Sequence, residues 1–468
     1  MTSTDARPAR PAGESIGPWQ TFTIAACAVF LVALDTSVVV AAYSALRAEF
    51  TDASATWLSW TLNAYTIVFA ALLVPAGRWA DIHGRKRTFM QGLCVFTVGS
   101  ALCAASSNIE LLVGARAVQA VGAAMMMPAS LALLLQAFAR EQRAAAVGMY
   151  AAVGALATAI GPAIGSWIIA YGSWRWVFMI NLPVGVLGLW AARRLVESSS
   201  DEHGVRVDWF GIILLVVGAG LLTLGIVRTE ALGWASQIVW AIIVSGLGVL
   251  VGFVFWARAR THPALDLSLF DDVSYRVVNV ATVFFSAAMS LMFLHAFLML
   301  MEVWQYPQSV AGLAITPGPL IVLPIAILSG RLAGRFGHRP LLVGGGLLFA
   351  AVQIVFYARL ESTPDFLGLW LPGQLALGTS IGMVMPSLSG AAVAKLGPQR
   401  YAAGGSVNNA VRQLGSAIGA SLAVALVGGH TVGFADFRLG YLILAALSLS
   451  AAVLSVPVRT HPRDLAAP

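Results

Sequence analysis

Long apolar runs, separated by short polar or charged interruptions, fill this chain from about residue 20 to residue 457. Crossing the ~30 Å hydrocarbon core of a bilayer takes roughly 20 apolar residues in a helix. Runs of that length fall at 20–43, 56–76, 88–106, 109–136, 143–170, 174–192, 209–227, 236–256, 277–301, 309–330, 340–358, 366–393, 401–427 and 438–457. The pattern predicts an all-α integral membrane protein with fourteen spans. Longer polar connections follow the sixth run (Arg193 to Val207) and the eighth (Arg258 to Tyr275). The polar start, Met1 to Gln20 with Pro8, Pro11 and Pro18, leads into a span-length run followed by many more. It reads as a tail before an uncleaved first helix, not a signal peptide.

Composition sharpens this. The 468 residues are 59% hydrophobic and 10% charged, with a mean hydropathy of +0.82. Soluble domains are ~45–50% apolar and ~25% charged, and disordered chains need low hydrophobicity with high charge, so both classes are excluded. The 28 Lys+Arg against 21 Asp+Glu give a net charge of +7, but only Lys86 and Lys395 are lysines and the arginines are scattered between apolar runs. No cationic face for nucleic acid results. With fourteen spans and cytoplasmic termini, 21 of the 28 cations fall on the cytoplasmic side, five opposite, and two (Arg116 and Arg412) inside spans. That bias is the orientation signal of membrane proteins. Cys27, Cys94 and Cys103 lie in apolar stretches and have neither disulfide nor zinc spacing, so no metal is expected.

The chain repeats itself. Gly77-Arg-Trp-Ala-Asp-Ile-His-Gly84-Arg85-Lys86-Arg87 joins spans two and three, and Gly330-Arg-Leu-Ala-Gly-Arg-Phe-Gly337-His338-Arg339 joins spans ten and eleven, offset by 253. Met127-Pro128 is answered by Met385-Pro386 at 258, and Gln142-Arg143 by Gln399-Arg400 at 257. The expected organisation is therefore a tail (1–19), a six-helix bundle (20–192), a connection with two extra spans (193–260), a second six-helix bundle (276–457) and a tail (458–468). Such repeats, with a site between them near the midplane, mark secondary transporters.

Short motifs along these spans resemble those of the major facilitator superfamily, specifically its fourteen-span drug:H⁺ antiporter family. Gly77, Asp81, Gly84, Arg85 and Lys86 match the signature cytoplasmic loop, with Trp79 and Ile82 in place of its usual Leu and Arg. Leu34-Asp35-Thr36-Ser37 matches the first-span acidic motif, with Val40 and Ser44 where Asn and Pro are usual. Arg116-Ala-Val-Gln119 with Gly122 matches the fourth-span motif, and Gly161-Pro162-Ala-Ile-Gly165 the fifth-span antiporter motif, Ser166 replacing its last Gly. Trp174 to Gly185, Gly233-Trp234 and Arg412-Gln413-Leu-Gly415 are also similar to this family. The resemblance implies proton-coupled export by alternating access, with Arg116 in a proton relay near Asp35. It also implies that the 77–87 loop latches the halves on the cytoplasmic side and that Gly161, Pro162 and Gly165 govern helix packing and leak.

The residues carry their own physics. Asp35 lies about fifteen residues into span one, where a carboxylate costs at least ~2.5–3.5 kcal/mol unless it pairs, takes a proton or faces water. It is the first candidate for proton coupling, with Arg116 and His295 beside it in that role. At the repeat offset, His295 maps to Val38, one turn from Asp35, and Met299 and Glu302 share its helical face. That face reads equally as cavity lining or as a packing histidine with a helix-end acid. Arg412 sits mid-span without an evident partner. Asn63, Tyr65, Gln119, Met126, Met292, Met299, Glu302, Arg412 and Gln413 are the candidate substrate-cavity residues, a soft and polarizable set suited to bulky apolar ligands. For Asp81 the physical version of the latch is a carboxylate docking at a helix N-terminus, and the resemblance implies that the acceptor is the start of span thirteen near Arg400. Pro317, Pro319 and Pro324 predict a broken or kinked span ten.

No GxxxxGK[ST] loop is present, because Arg85 precedes Lys86 and Ala394 precedes Lys395. ATP hydrolysis and enzyme chemistry are excluded, which leaves ion gradients as the energy source, a proton gradient by the resemblance, with no cofactor. Three functions remain: a proton-coupled exporter of drugs or secondary metabolites, a transporter of one metabolite, siderophore or lipid, and a non-transporting sensor or scaffold. Buried Asp35, Arg116 and Arg412 argue against the last. The expected setting is a multi-pass monomer in a bacterial cell membrane, its partners being the small-molecule substrate, protons and lipid, and no nucleic acid.

Overall fold

Backbone polar groups inside a bilayer find no water, so an apolar chain of this kind must satisfy them within helices. A computed structural model describes residues 17–53, 55–139, 142–195, 208–261, 263–397, 400–427 and 434–461. Most of the two tails, the polar connection 196–207 and the side chain of Pro162 lie outside the described residues. Helices α1 (Pro18–Glu49), α2 (Ala55–His83), α3 (Arg85–Ala104), α4 (Ile109–Ala137), α5 (Arg143–Tyr171), α6 (Trp174–Met179) and α7 (Asn181–Leu195) form the first part. Two helices, α8 (Trp209–Leu232) and α9 (Gln237–Arg258), stand between. The second part holds α10 (Val273–Glu302), α11 (Gln308–Ile315), α12 (Pro317–Phe336), α13 (Arg339–Arg359), α14 (Leu371–Val393), α15 (Tyr401–Val427) and α16 (Phe434–Leu454).

A helix lies over each expected segment. Span ten is broken at Thr316, where Pro317 and Pro319 follow, and span six is broken too, at Ile180. By length and composition, 11 stretches of the described residues qualify to cross a bilayer, fewer than the sequence pattern predicts. Helix α3 falls short because it opens on Arg85-Lys86-Arg87. Of α5, only Ala145–Thr158 registers as an apolar helix.

Packing repeats as the sequence does. In the first part α1 lies on α5, α2 on α4, α3 on α4 and on α7; in the second, α10 lies on α15, α12 on α14, α13 on α14 and on α16. Small residues permit the closest of these approaches. A Cβ at Gly161 would strike Ser37 Oγ of α1, and Cβ atoms at Gly415 and Gly419 would strike the Val283 and Ala287 carbonyl oxygens of α10. These are repeat-related contacts, α1–α5 and α10–α15, made by glycine in both. Helices α8 and α9 pair with each other, and α8 also touches α2 and α15, so it bridges the two parts.

The two ends of the molecule differ. At the end carrying the 77–87 loop, the parts are pressed together. Gly77 of α2 fits against Ser406 and the Ala402 carbonyl of α15. Gly148 of α5 fits against Gly330 of α12 and the Ala326 carbonyl, 2.7 Å from its would-be Cβ. Arg143 donates to the Tyr401 hydroxyl at 2.5 Å. The apolar core here recruits Val393, Tyr401, Ala402 and Ala410 from the second part. Toward the opposite end, the first part's core is drawn entirely from residues 30–180. The two parts are thus in direct contact at the loop end.

Candidate functional site

The deepest polar cluster belongs to the first part. Asp35 is the one carboxylate, among the described residues, lying more than two turns from a helix end. It is 1% exposed, as is Arg116. Arg116 Nη1 meets Asp35 Oδ2 at 2.5 Å. The other carboxylate oxygen accepts from Gln119 Nε2 at 2.8 Å and from Asn181 Nδ2 at 3.0 Å. Ser100 Oγ accepts from the same two amides, at 2.8 and 3.3 Å. Arg116 also donates from Nη1 to Gln119 Oε1 at 2.6 Å and from Nε to the Thr61 carbonyl at 3.1 Å. Its guanidinium lies 4.3 Å from the Tyr65 ring centroid, a cation–π contact. Helices α1, α2, α3, α4 and α7 all contribute.

Local structure explains the convergence. Gln119 follows Arg116 by one turn, so one face of α4 presents both. Gly99 and Gly122 let α3 and α4 touch at backbone distance, with Gln119 Cα 2.7 Å from the would-be Cβ of Gly99. Asn181 opens α7 just after the break at Ile180. Asn181, Ser100 and Thr61 escape a reading of apolar periodicity. The one available signal was Asn181 itself, an amide in an otherwise apolar span.

At the loop end, Asp81 Oδ2 accepts from the Ala403 backbone N–H at 3.1 Å, in the first turn of α15. Its Oδ1 accepts from Arg85 Nε and Nη2 at 3.4 and 3.3 Å. A carboxylate at that terminus gains from unpaired N–H groups and the helix dipole. Gly84, at φ +93, turns the chain from α2 into α3 in a left-handed conformation favouring glycine. Lys86 goes elsewhere: its Nζ donates to the Arg193 carbonyl at 3.0 Å, closing the end of α7. Gly161 packs on α1, and Gly165 is buried.

Several candidate residues lie away from the Asp35 cluster. His295 is 0% exposed between α10 and α16, 5.2 Å from the Phe437 ring and 4.8 Å from the Tyr441 ring, and joins neither the Asp35 cluster nor the crevice. The helical face shared by His295 and Met299 is a packing face of the second core, and Met292 is buried there too. Glu302 ends α10 and is exposed, its carbonyl accepting from Gln305 Nε2 at 2.6 Å. Met126 is sealed against Gly92 in the first core. Tyr65 and Gln119 serve the Asp35 cluster and so do not line an open cavity. Asn63, Arg412 and Gln413 are half-buried, and Arg412 donates from Nη2 to Asn409 Oδ1.

A helical membrane protein with a sealed acid–arginine pair in one of two repeat-related parts is a membrane transport protein in architecture. The sequence signature described as Major Facilitator Superfamily matches residues 25–420 and 278–468. The chain belongs to that superfamily. It is 30% identical over 396 residues to multidrug resistance protein Stp of Mycobacterium tuberculosis, covering 84% of this chain and 72% of that protein. It is 31% identical over 414 residues to cephamycin export protein CmcT of Amycolatopsis lactamdurans, covering 88% and 85%. The crystal structure of the human organic anion transporter MFSD10 (TETRAN) aligns with a TM-score of 0.69 at 15% identity, covering 94% and 99%, which is a likeness of fold.

Proposed function

We propose that this protein is a secondary active exporter of amphipathic small molecules, exchanging them for protons by alternating access across a bacterial cell membrane. In this reading the chain makes fourteen spans, two six-helix bundles with α8 and α9 inserted, and both termini are cytoplasmic. It acts as a carrier and makes no covalent change to its cargo. The observation that carries the reading is the buried Asp35–Arg116 pair, held by Gln119 and Asn181, in a molecule whose two parts are in direct contact at the loop end. The names of the relatives, a multidrug resistance protein and an antibiotic export protein, agree with it.

The geometry supplies a mechanism. A proton on Asp35 removes the charge that Arg116, Gln119 and Asn181 answer, so α1 is released from α4 and α7 together. Gly161 against Ser37 carries that change from α1 to α5, and Gly148 against Gly330 passes it to α12 in the other part. Asp81 leaving Ala403 then opens the loop end. One charge crossing 100 mV supplies ~2.3 kcal/mol, and ~1.4 kcal/mol is tenfold in concentration, so one proton supports roughly a fortyfold gradient before any pH difference.

The test is a susceptibility and accumulation profile of bacteria with and without the protein, over cationic, neutral and anionic amphipathic compounds. The expected result is lower accumulation of at least one compound, restored to the control level when an uncoupler collapses the proton gradient. Equal accumulation of every compound in both strains would overturn the reading.

A further inference from the structure

Two arginines lie deep in the helices, and their surroundings are opposite. Arg116 has a carboxylate, an amide, a carbonyl and an aromatic face. Arg412, eleven residues into α15 and so roughly 16 Å from its start, has no carboxylate of the described residues within 4.0 Å. One hydrogen bond of its guanidinium is present, from Nη2 to Asn409 Oδ1, one turn earlier. The side chain is half-buried. A guanidinium keeps its charge in any protein environment, so this is a permanent cation at mid-bilayer depth with most of its five donors free for another acceptor.

The flanks of α15 fix where Arg412 points. Asn408 bonds to Asn279 and Thr282 of α10 at 3.2 and 2.9 Å, and Gly415 and Gly419 press on the same helix. Leu414, Ala417 and Ile418 pack on Ile226, Val239 and Ile243 of α8 and α9. The remaining face holds Gly405, Asn409 and Arg412, and Gly405 meets Leu131 of α4. This face is turned to the first part. Tyr150 of α5 is within electrostatic reach of Arg412, and its hydroxyl lies 2.8 Å from Ser130 Oγ of α4. The one deep carboxylate, Asp35, is committed to Arg116.

We infer that Arg412, with Asn409, is the substrate-charge subsite, and that it selects amphipathic anions, carboxylates in particular. This rests on the exporter reading and adds to it the charge class of the cargo. A substrate carboxylate supplies the acceptor that the chain leaves out, and a cationic drug meets like charge at the same place. At this depth a lipid headgroup would have to leave the interface, which favours a freely carried amphiphile.

The full-length protein in nanodiscs of zwitterionic lipid is titrated with three dansyl-labelled probes on one alkyl chain: the carboxylate, its primary amide and the corresponding amine. Binding is read by dansyl fluorescence. The expected order is carboxylate first, by roughly tenfold to a hundredfold over the amide, with the amine weakest. Arg412→Gln brings the carboxylate to the level of the amide and leaves amide binding unchanged, and Arg412→Lys keeps most of the preference. Equal binding of carboxylate and amide by the wild type, preference for the amine, or the same loss for all three probes in Arg412→Gln would overturn the assignment. So would displacement of the carboxylate by added phosphatidylglycerol, which would assign the site to lipid. Tight binding of the amine with substrate-driven proton release would leave the exporter reading standing while this inference falls. Binding of none of the probes removes this subsite, and loss of proton release over a wide panel removes the exporter as well.

Discussion

At the scale of single residues, the buried Asp35–Arg116 pair carries a stability cost that the proposed function would use. Breaking a buried pair by removing one partner costs ~3–5 kcal/mol, because the other charge stays buried and unanswered. Arg116→Ala, which leaves a cavity and a stranded carboxylate, and Asp35→Asn, which leaves a guanidinium that keeps its charge, are each therefore expected to lower the thermal unfolding temperature in detergent. The double variant Asp35→Asn/Arg116→Gln is expected to recover much of the loss. Unfolding of Arg116→Ala at the wild-type temperature would contradict this account of the cluster. The pair was legible in the sequence because ionisable residues are rare in such spans and costly to bury. Of its partners, Asn181 was visible only as part of a motif, and Ser100 and Thr61 were not legible, since periodicity says which face a residue occupies on its own helix and nothing about the helix opposite. The same gap explains His295: sharing a face with Met299 was correct, but that face meets Phe437 and Tyr441 of α16, not the crevice.

Helices and their junctions form the next scale, and here contacts between backbones decide the outcome. Gly77 lets α2 lie against Ser406 and Ala402 of α15. Gly77→Leu is expected to hold the loop end apart and slow transport while the protein still folds. Paired spin labels on α2 and α15 at that end would read a longer distance, and an unchanged distance would reject Gly77 as a closure contact. The turn between α12 and α13 yields a pH prediction. His338 is buried there, its Nδ1 3.1 Å from Thr460 Oγ1 and its Nε2 2.5 Å from the would-be Cβ of Gly390. Burial lowers its pKa from 6.5 to about 4. Between those values the unfolded chain binds more protons than the folded one, so the contribution of His338 to stability is lost as pH falls from 6.5 toward 4. The slope is at most ~1.4 kcal/mol per pH unit. His338→Asn is expected to flatten that part of the unfolding-versus-pH curve, and an unaltered curve would show that the imidazole is not the group responsible. Proline spacing revealed the break in span ten in advance. The break at Ile180 in span six had no such marker, since the Pro183 that follows lies inside the first turn of α7, where proline is tolerated.

For the whole molecule, the repeat read from three short matches reappears as repeated helix pairings, α1–α5 with α10–α15 and α2–α4 with α12–α14. Chemistry does not repeat with it. At the offset of 257, Asp35 corresponds to Met292 and Arg116 to Gly373, which packs under Phe356. One part therefore holds an ion pair where the other holds apolar packing, and the second part contributes its own unanswered cation, Arg412. In the proposed reading, a proton site in one part and a substrate-charge site in the other make an arrangement suited to exchange. The direct test is substrate-driven proton release by the purified protein in weakly buffered detergent solution, using the same cationic, neutral and anionic panel. The account predicts acidification with at least one compound for the wild type and none for a folded Asp35→Asn variant. No pH response to any compound, or a wild-type response from Asp35→Asn, would contradict it.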